Sequence, residues 1–482
     1  MKKIIILILL FGFSVPAFTQ HEHQNMPAKK DTAVEAKQKA PRARDNQTRK
    51  DTMNMQTMHD DHAMNMDTGM HSMDVPMTHA FSLNLPMNRN GSGTGWLPDA
   101  SPMYGYMIHS KKWMYMVHGS IFVRYNSQNF NNDDKRGGDR FDAPTWFMFM
   151  GQRKVGSNGL FHFSSMLSLD PVIEGGQGYP LLLQTGESYQ NKPLIDRQHP
   201  HDLFSELSVS YSHAFNKKMD VFMYVGYPGE PALGPVSFMH RPSALDNPNS
   251  PISHHWVDAT HITFGVVTAG VRLGKFKMEG SSFTGREPNE ERYGFDKPRF
   301  DSWSGRLSFN PSRNWALQVS HGYLKSPEEL HPEENVNKTT ASAVYSLDMG
   351  NENRVNATVL WGMNKQKNHD GQNAFMLEAA WRKQKAVLYT RYEFTEKSAE
   401  ELLLQPTFTE DAVFGIHAFT LGLNYDLLEF HKTRLTAGGQ WSINGTPASL
   451  NSFYGKSPMG FQVYIRIYPA LMKMNTAAMK MN

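Results

Sequence analysis

Residues 460–468 read Gly460-Phe-Gln-Val-Tyr-Ile-Arg-Ile-Tyr468, an unbroken alternation of two kinds of side chain. Phe461, Val463, Ile465 and Ile467 share one parity, while Gln462, Tyr464 and Arg466 share the other. Successive side chains of a strand point to opposite faces, so the segment has one apolar face and one polar face. Apolar-out, polar-in alternation over about ten residues is the signature of a strand in a membrane-spanning β-barrel, whose closed hydrogen bonding is what lets strands exist in hydrocarbon.

Sixteen segments with this rhythm run from Trp113 to Tyr468. The first is Trp113 to Tyr125, the sixth Ala259 to Val271 and the last Gly460 to Tyr468. In the sixth, Ile262, Phe264 and Val266 are expected to face lipid, with His261, Thr263 and Gly265 toward the lumen. The connections alternate in length. Tight turns such as Asn216-Lys-Lys218 and Leu273-Gly274 alternate with long loops such as Asp170 to His201 and Pro228 to Asp258. Short turns on one side and long loops on the other describe an outer-membrane barrel with periplasmic turns and extracellular loops. The expected fold is therefore all-β, an antiparallel transmembrane β-barrel of about sixteen strands with a disordered N-terminal tail. A soluble β-sandwich is the competing architecture, and strict long-short alternation is unexpected there.

Other features bound the class. The first twenty residues, MKKIIILILLFGFSVPAFTQ, have a basic start, a short apolar run and a small-residue exit, as an export signal has, with cleavage expected before Gln20. No later apolar run approaches the roughly twenty residues a membrane helix needs. With no cysteine there is no disulfide, thiolate metal site or cysteine nucleophile. A net charge of +3 on 482 residues, without a basic patch beyond the linker-like Lys29 to Lys50, leaves no nucleic-acid footprint. The chain divides into a signal peptide (1–19), a Met/His-rich periplasmic tail (20–80), a Gly/Pro-rich pre-barrel or plug segment (81–112), the barrel (113–468) and a short Met-containing C-terminal tail (469–482).

The tail carries the strongest chemical signal. From Met53 to His79 it reads MNMQTMHDDHAMNMDTGMHSMDVPMTH, without one lysine or arginine. Thioethers favour Cu(I) and Ag(I) over Zn(II), and imidazole serves both oxidation states of copper. Met53, Met55, Met58, His59, His62, Met64, Met66, Met70, His71, Met73, Met77 and His79 are the candidate ligands of a copper or silver ion. The plainer reading is a solvated polar tract with incidental methionines.

Two further ligand sets lie in the barrel. Met114, Met116 and His118 fall on the lumen parity of the first strand, a soft trio that gap-filling by methionine would also explain. Two long loops supply His199, His201, His240, His254, His255, Asp258 and His261, expected to converge at the extracellular rim. Imidazoles beside a carboxylate suit copper or zinc, a general acid or base, or plain hydrogen bonding within a folded loop. Nucleophile signatures such as G-x-S-x-G and H-E-x-x-H are absent, so no catalytic residue and no organic cofactor is assigned.

A Met/His-rich, Asp-containing leader before an outer-membrane barrel resembles the copper-resistance B family in architecture. The resemblance rests on the Met-x-Met and Met-His elements, Met53-Asn-Met55, Met64-Asn-Met66, Met58-His59 and Met70-His71. This barrel is longer than that family's usual one, and its histidine loops are not part of the resemblance. It implies copper or silver homeostasis at a Gram-negative outer membrane, with outer-membrane lipid, metal ions and periplasmic copper proteins as partners. The alternatives are a general diffusion channel with a metal-buffering tail, or a surface enzyme using the histidine rim.

Overall fold

The computed structural model describes residues 77–472 except 368. The export signal and the Met53 to Met73 ligands of the tail lie outside these residues, whereas Met77 and His79 lie within them.

Sixteen antiparallel strands close into one barrel. In chain order they are β1 Met114–Gln128, β2 Thr145–Val155, β3 Gly159–Leu167, β4 Phe204–Asn216, β5 Met219–Gly226, β6 Val266–Leu273, β7 Phe276–Phe283 and β8 Ser302–Phe309. The second half is β9 Trp315–Lys325, β10 Asn335–Asp348, β11 Asn353–Gln366, β12 Gln372–Lys383, β13 Ala386–Ser398, β14 Val413–Phe430, β15 Thr433–Gly445 and β16 Met459–Pro469. The seam joins β16 to residues 121–128 of β1. The short strand Tyr106–His109 pairs with residues 114–117, so it continues that edge where β16 ends.

Parity works as the alternation requires. Val463, Ile465 and Ile467 are exposed on the outer wall, and Gln462, Tyr464 and Arg466 are buried inside. The same outward exposure of large apolar groups recurs at Val209, Val319, Val359, Leu377, Leu388 and Leu423. A continuous apolar exterior over a hydrogen-bonded wall without free edges is a surface built for lipid, and it places the protein in an outer membrane.

The sixth strand corrects the sequence reading. It begins at Val266, not Ala259. Residues 254–257 form a helical turn and 259–261 a 3-10 turn, and Gly265 takes a φ of 99°, a kink that L-residues resist. The alternation at Ile262 and Phe264 is therefore not strand alternation; both are buried, and Val266 faces inward at 0% exposure.

The lumen is filled. The loop between β5 and β6 turns inward and hydrogen-bonds around most of the wall. Ala232 meets Ser281 on β7, Gly234 meets Ser320 on β9, Ser243 meets Thr358 on β11, Arg241 meets Glu378 on β12 and Ser253 meets Glu393 on β13. Asp246 reaches Asn424 on β14 and Arg466 on β16, and Asn249 reaches Arg124 on β1. Beneath it the segment around residues 81–103 lies across the tight-turn end. Ser82 bonds Asp220, the Thr94 carbonyl accepts from Lys277, the Leu97 carbonyl accepts from Asn310, and Ser101 meets Ser346. Gly91 and Gly95 let this segment approach the loop: a Cβ at either would fall within 2.3 and 2.8 Å of the Val236 side chain.

Candidate functional site: a methionine compartment and an imidazole cluster in the lumen

Met114, Met116 and His118 point into the barrel on the inward parity of β1. Cross-strand register extends them into a patch. Met116 sits opposite Met150 and His118 opposite Met148, both on β2; Met148 in turn faces Met166 on β3, and Met107 of the edge strand faces Met116. Met77, Met87 and Met239 join the same buried cluster, with Met103, Met107, Met114 and Met472 packed against it. Its remaining members are Phe238, Ala244 and Trp146. The separate cluster of Leu182, Leu183, Ile252, Leu402 and Leu404 is aliphatic instead. Among the described residues no leucine, isoleucine or valine enters the methionine cluster.

Met77 belongs to the tail tract, so the end of that tract is seated in the compartment. His79, two residues on, is buried with its Nδ1 accepting from the Phe81 amide. At the upper edge, His118 and His240 lie 5.8 Å apart, ring to ring, and both pack on Trp146. Burial pushes the His240 imidazole down to about 4. His240 therefore leaves the loop set in which the sequence placed it and joins the methionine compartment.

The other loop histidines converge, but inside the lumen rather than at an exposed rim, because the β5–β6 loop folds inward. Ring centroids are 5.1 Å apart for His254 and His261, 5.2 Å for His254 and His255, 5.5 Å for His201 and His261, and 6.0 Å for His199 and His255. Each ring has an acceptor holding one nitrogen. His254 Nδ1 lies 2.6 Å from the Asp258 carboxylate, His261 Nδ1 2.8 Å from the Asp258 carbonyl and His201 Nδ1 2.8 Å from Asp170. His199 Nε2 lies 3.0 Å from Glu187, and His255 Nδ1 3.4 Å from Glu287. Arg241 fixes Asp258 at 2.7 Å, and Arg292 pairs with Glu187. Burial pushes His199 and His255 down to about 4, lowers His254 despite Asp258 beside it, and lowers His261 strongly. Burial raises the Glu287 carboxyl to about 7. At neutral pH His199, His254, His255 and His261 are unprotonated rings, each with a lone pair.

Phe238 links the two compartments. It packs within the methionine cluster and also against His201, His254 and His261. A cavity of about 40 Å³ beside it is lined by His201, Asp170, Trp146 and Met239. A different set, His331, Glu333 and Glu334, is the one described group that brings three imidazole or carboxylate ligand atoms within 4.8 Å of one another; it is partly exposed on the β9–β10 loop.

The sequence reading did not single out Met107, Met148, Met150 or Met166, nor the carboxylates Asp170, Glu187 and Glu287. For the methionines the signal was available: Met148 and Met150 occupy one parity of β2. For the carboxylates there was none, since only the folded loops bring them to the rings.

No protein-family model matches this chain, and no curated protein does. Solved structures similar to it include an anion-selective porin from Comamonas acidovorans, 13% identical over 74% of this chain and 100% of that one, with a TM-score of 0.46. Others are OmpF of Salmonella typhi in complex with daunomycin (8%, 75% and 100%, TM-score 0.47) and OprB of Pseudomonas putida (9%, 74% and 94%, TM-score 0.43).

Proposed function

We propose that this protein is an outer-membrane channel, closed in the conformation described by its inward loop and N-terminal segment, whose solute is a soft monovalent metal ion, Cu(I) or Ag(I). The observation that supports the reading is the side-chain chemistry of the compartment: Met116, Met148, Met150 and Met166 stand together on a barrel wall that elsewhere carries Arg124, Lys277, Glu279, Arg306 and Glu378. Lumens of such barrels are ordinarily polar, and thioethers are the protein's neutral ligands for soft ions. His118 and His240 add imidazole at the compartment's edge, and the tail tract supplies a tethered pool of the same ligands that raises their local concentration.

A general diffusion channel with a metal-buffering tail is the second reading, favoured by the sixteen-strand architecture and the charged wall. Growth on graded copper and silver separates the two. Cells with the intact gene should outgrow or undergrow cells without it, and Met116→Leu/Met148→Leu/Met150→Leu should behave like the null. Superimposable curves for all three strains would defeat the soft-ion reading.

A further inference from the structure

The imidazole cluster has features that hydrogen bonding within a folded loop leaves unexplained. Buried ring nitrogens normally find partners. Nε2 of His201 and Nε2 of His261 are buried on neighbouring rings with none, as is Nε2 of His255, a residue only 8% exposed. Each of these three rings has its other nitrogen, Nδ1, beside an oxygen of Asp170, Asp258 or Glu287. A proton fixed on Nδ1 by an oxygen acceptor leaves the Nε2 lone pair to a metal, which is how ligating histidines are oriented.

We infer that His201, His254 and His261 form a binding site for a borderline divalent transition-metal cation, with Zn(II) and Cu(II) as representatives, distinct in ligand type from the methionine compartment. With nitrogen–metal distances of about 2.0–2.1 Å, two imidazoles on one tetrahedral ion have ring centroids roughly 5 Å apart. His254 and His261 stand at 5.1 Å, and His261 and His201 at 5.5 Å. Asp258 orients two of the three rings, His254 through its carboxylate and His261 through its carbonyl, and Arg241 locks it in place. The ligand atoms of the three rings do not all lie within 4.8 Å of one another, so binding one ion draws the rings together; of the three, only His201 borders the cavity of about 40 Å³. No methionine sulfur belongs to this set, so a divalent ion is preferred here and a monovalent soft ion beyond Phe238.

The test uses the full-length protein in detergent, with Co(II) as a spectroscopic probe of tetrahedral coordination and Zn(II) for calorimetry. His21→Gln/His23→Gln/His59→Gln/His62→Gln/His71→Gln removes the tail imidazoles ahead of His79 and should keep the visible Co(II) band. His201→Gln/His261→Gln should lose the band and bind Zn(II) at least about tenfold more weakly. Ag(I) binding should be unchanged by that double substitution, which keeps the result separable from the soft-ion proposal. If the double variant loses the heat-modifiable migration of a folded barrel, His261→Gln alone carries the same expectation. Zn(II) and Co(II) binding unaltered by these substitutions, or no tetrahedral band in the native protein, would overturn the assignment.

Discussion

Arg241 holds the inward loop to the wall, and replacing it with methionine tests whether that loop closes the barrel. Its guanidinium is fully buried, with Nε 2.7 Å from Glu378 on β12 and Nη1 2.7 Å from Asp258 within the loop. Nη1 also donates to the Val236 carbonyl at 3.1 Å. Arg241→Met keeps the apolar stem and removes the charge. Asp258 then retains only His254, and Glu378 retains Arg391 at 3.1 Å and Ser243. Removing one member of a buried ion pair costs about 3–5 kcal/mol, because the other is left uncompensated. Glu378 belongs to the wall and Arg241 to the loop, so the cost falls on the inserted state; a released loop lets Asp258 hydrate. At about 1.4 kcal/mol per decade, the ratio of released to inserted barrels rises roughly 10²- to 10³-fold or more. Planar-bilayer recording reads this directly as a rise in open probability of that order. A correctly folded Arg241→Met barrel that stays as closed as the native protein would refute the assignment of closure to this loop.

Three further outcomes follow from particular residues. Glu230, 4% exposed at the start of the inward loop, has its carboxyl pushed up to about 8 by burial, so its contribution to stability is full below the unfolded value near 4.5 and is lost as pH rises through 8. Glu230→Gln should therefore gain on the native protein by roughly 2–3 kcal/mol between pH 5 and pH 7 in denaturant titrations, and a constant difference would show that the carboxyl is solvated. Gly186 takes a φ of 111° and a Cβ there would lie 2.5 Å from the His255 ring, so Gly186→Ala should displace that ring and cost at least about 1 kcal/mol, read as faster proteolysis of the loop. Ile465→Lys on the lipid face should cost about 2–4 kcal/mol in refolding into vesicles, and a neutral effect would place Ile465 away from the bilayer core.

How much of this was legible depends on which interactions are local. Period-two alternation is a property of neighbours in sequence, so all sixteen strands could be read, and Phe461 to Ile467 gave the facing correctly. The one misjudged strand start, at Ala259, arose where Ile262 and Phe264 alternate by coincidence inside a buried loop. The filling of the lumen was not legible, because a loop's inward course is set by partners far away in sequence. Arg241 and Glu378 are 137 residues apart, and Ser101 and Ser346 are 245 apart. Residue types still hinted at it: Trp256, Arg241 and Asp258 within one loop imply a folded interior rather than a solvated strap. The methionine compartment was half legible, since Met116 and His118 followed from parity while their neighbours on β2 and β3 needed the register.

Soft-ion binding by the lumen thioethers is read residue by residue in methyl NMR of the full-length protein carrying ¹³C-methyl methionine. Resonances of Met116, Met148 and Met150, assigned through single substitutions to leucine, should shift on adding one equivalent of Ag(I) and stay in place with Zn(II). Silver-induced shifts confined to methionines of the tail, with the lumen methyls unmoved, would contradict it.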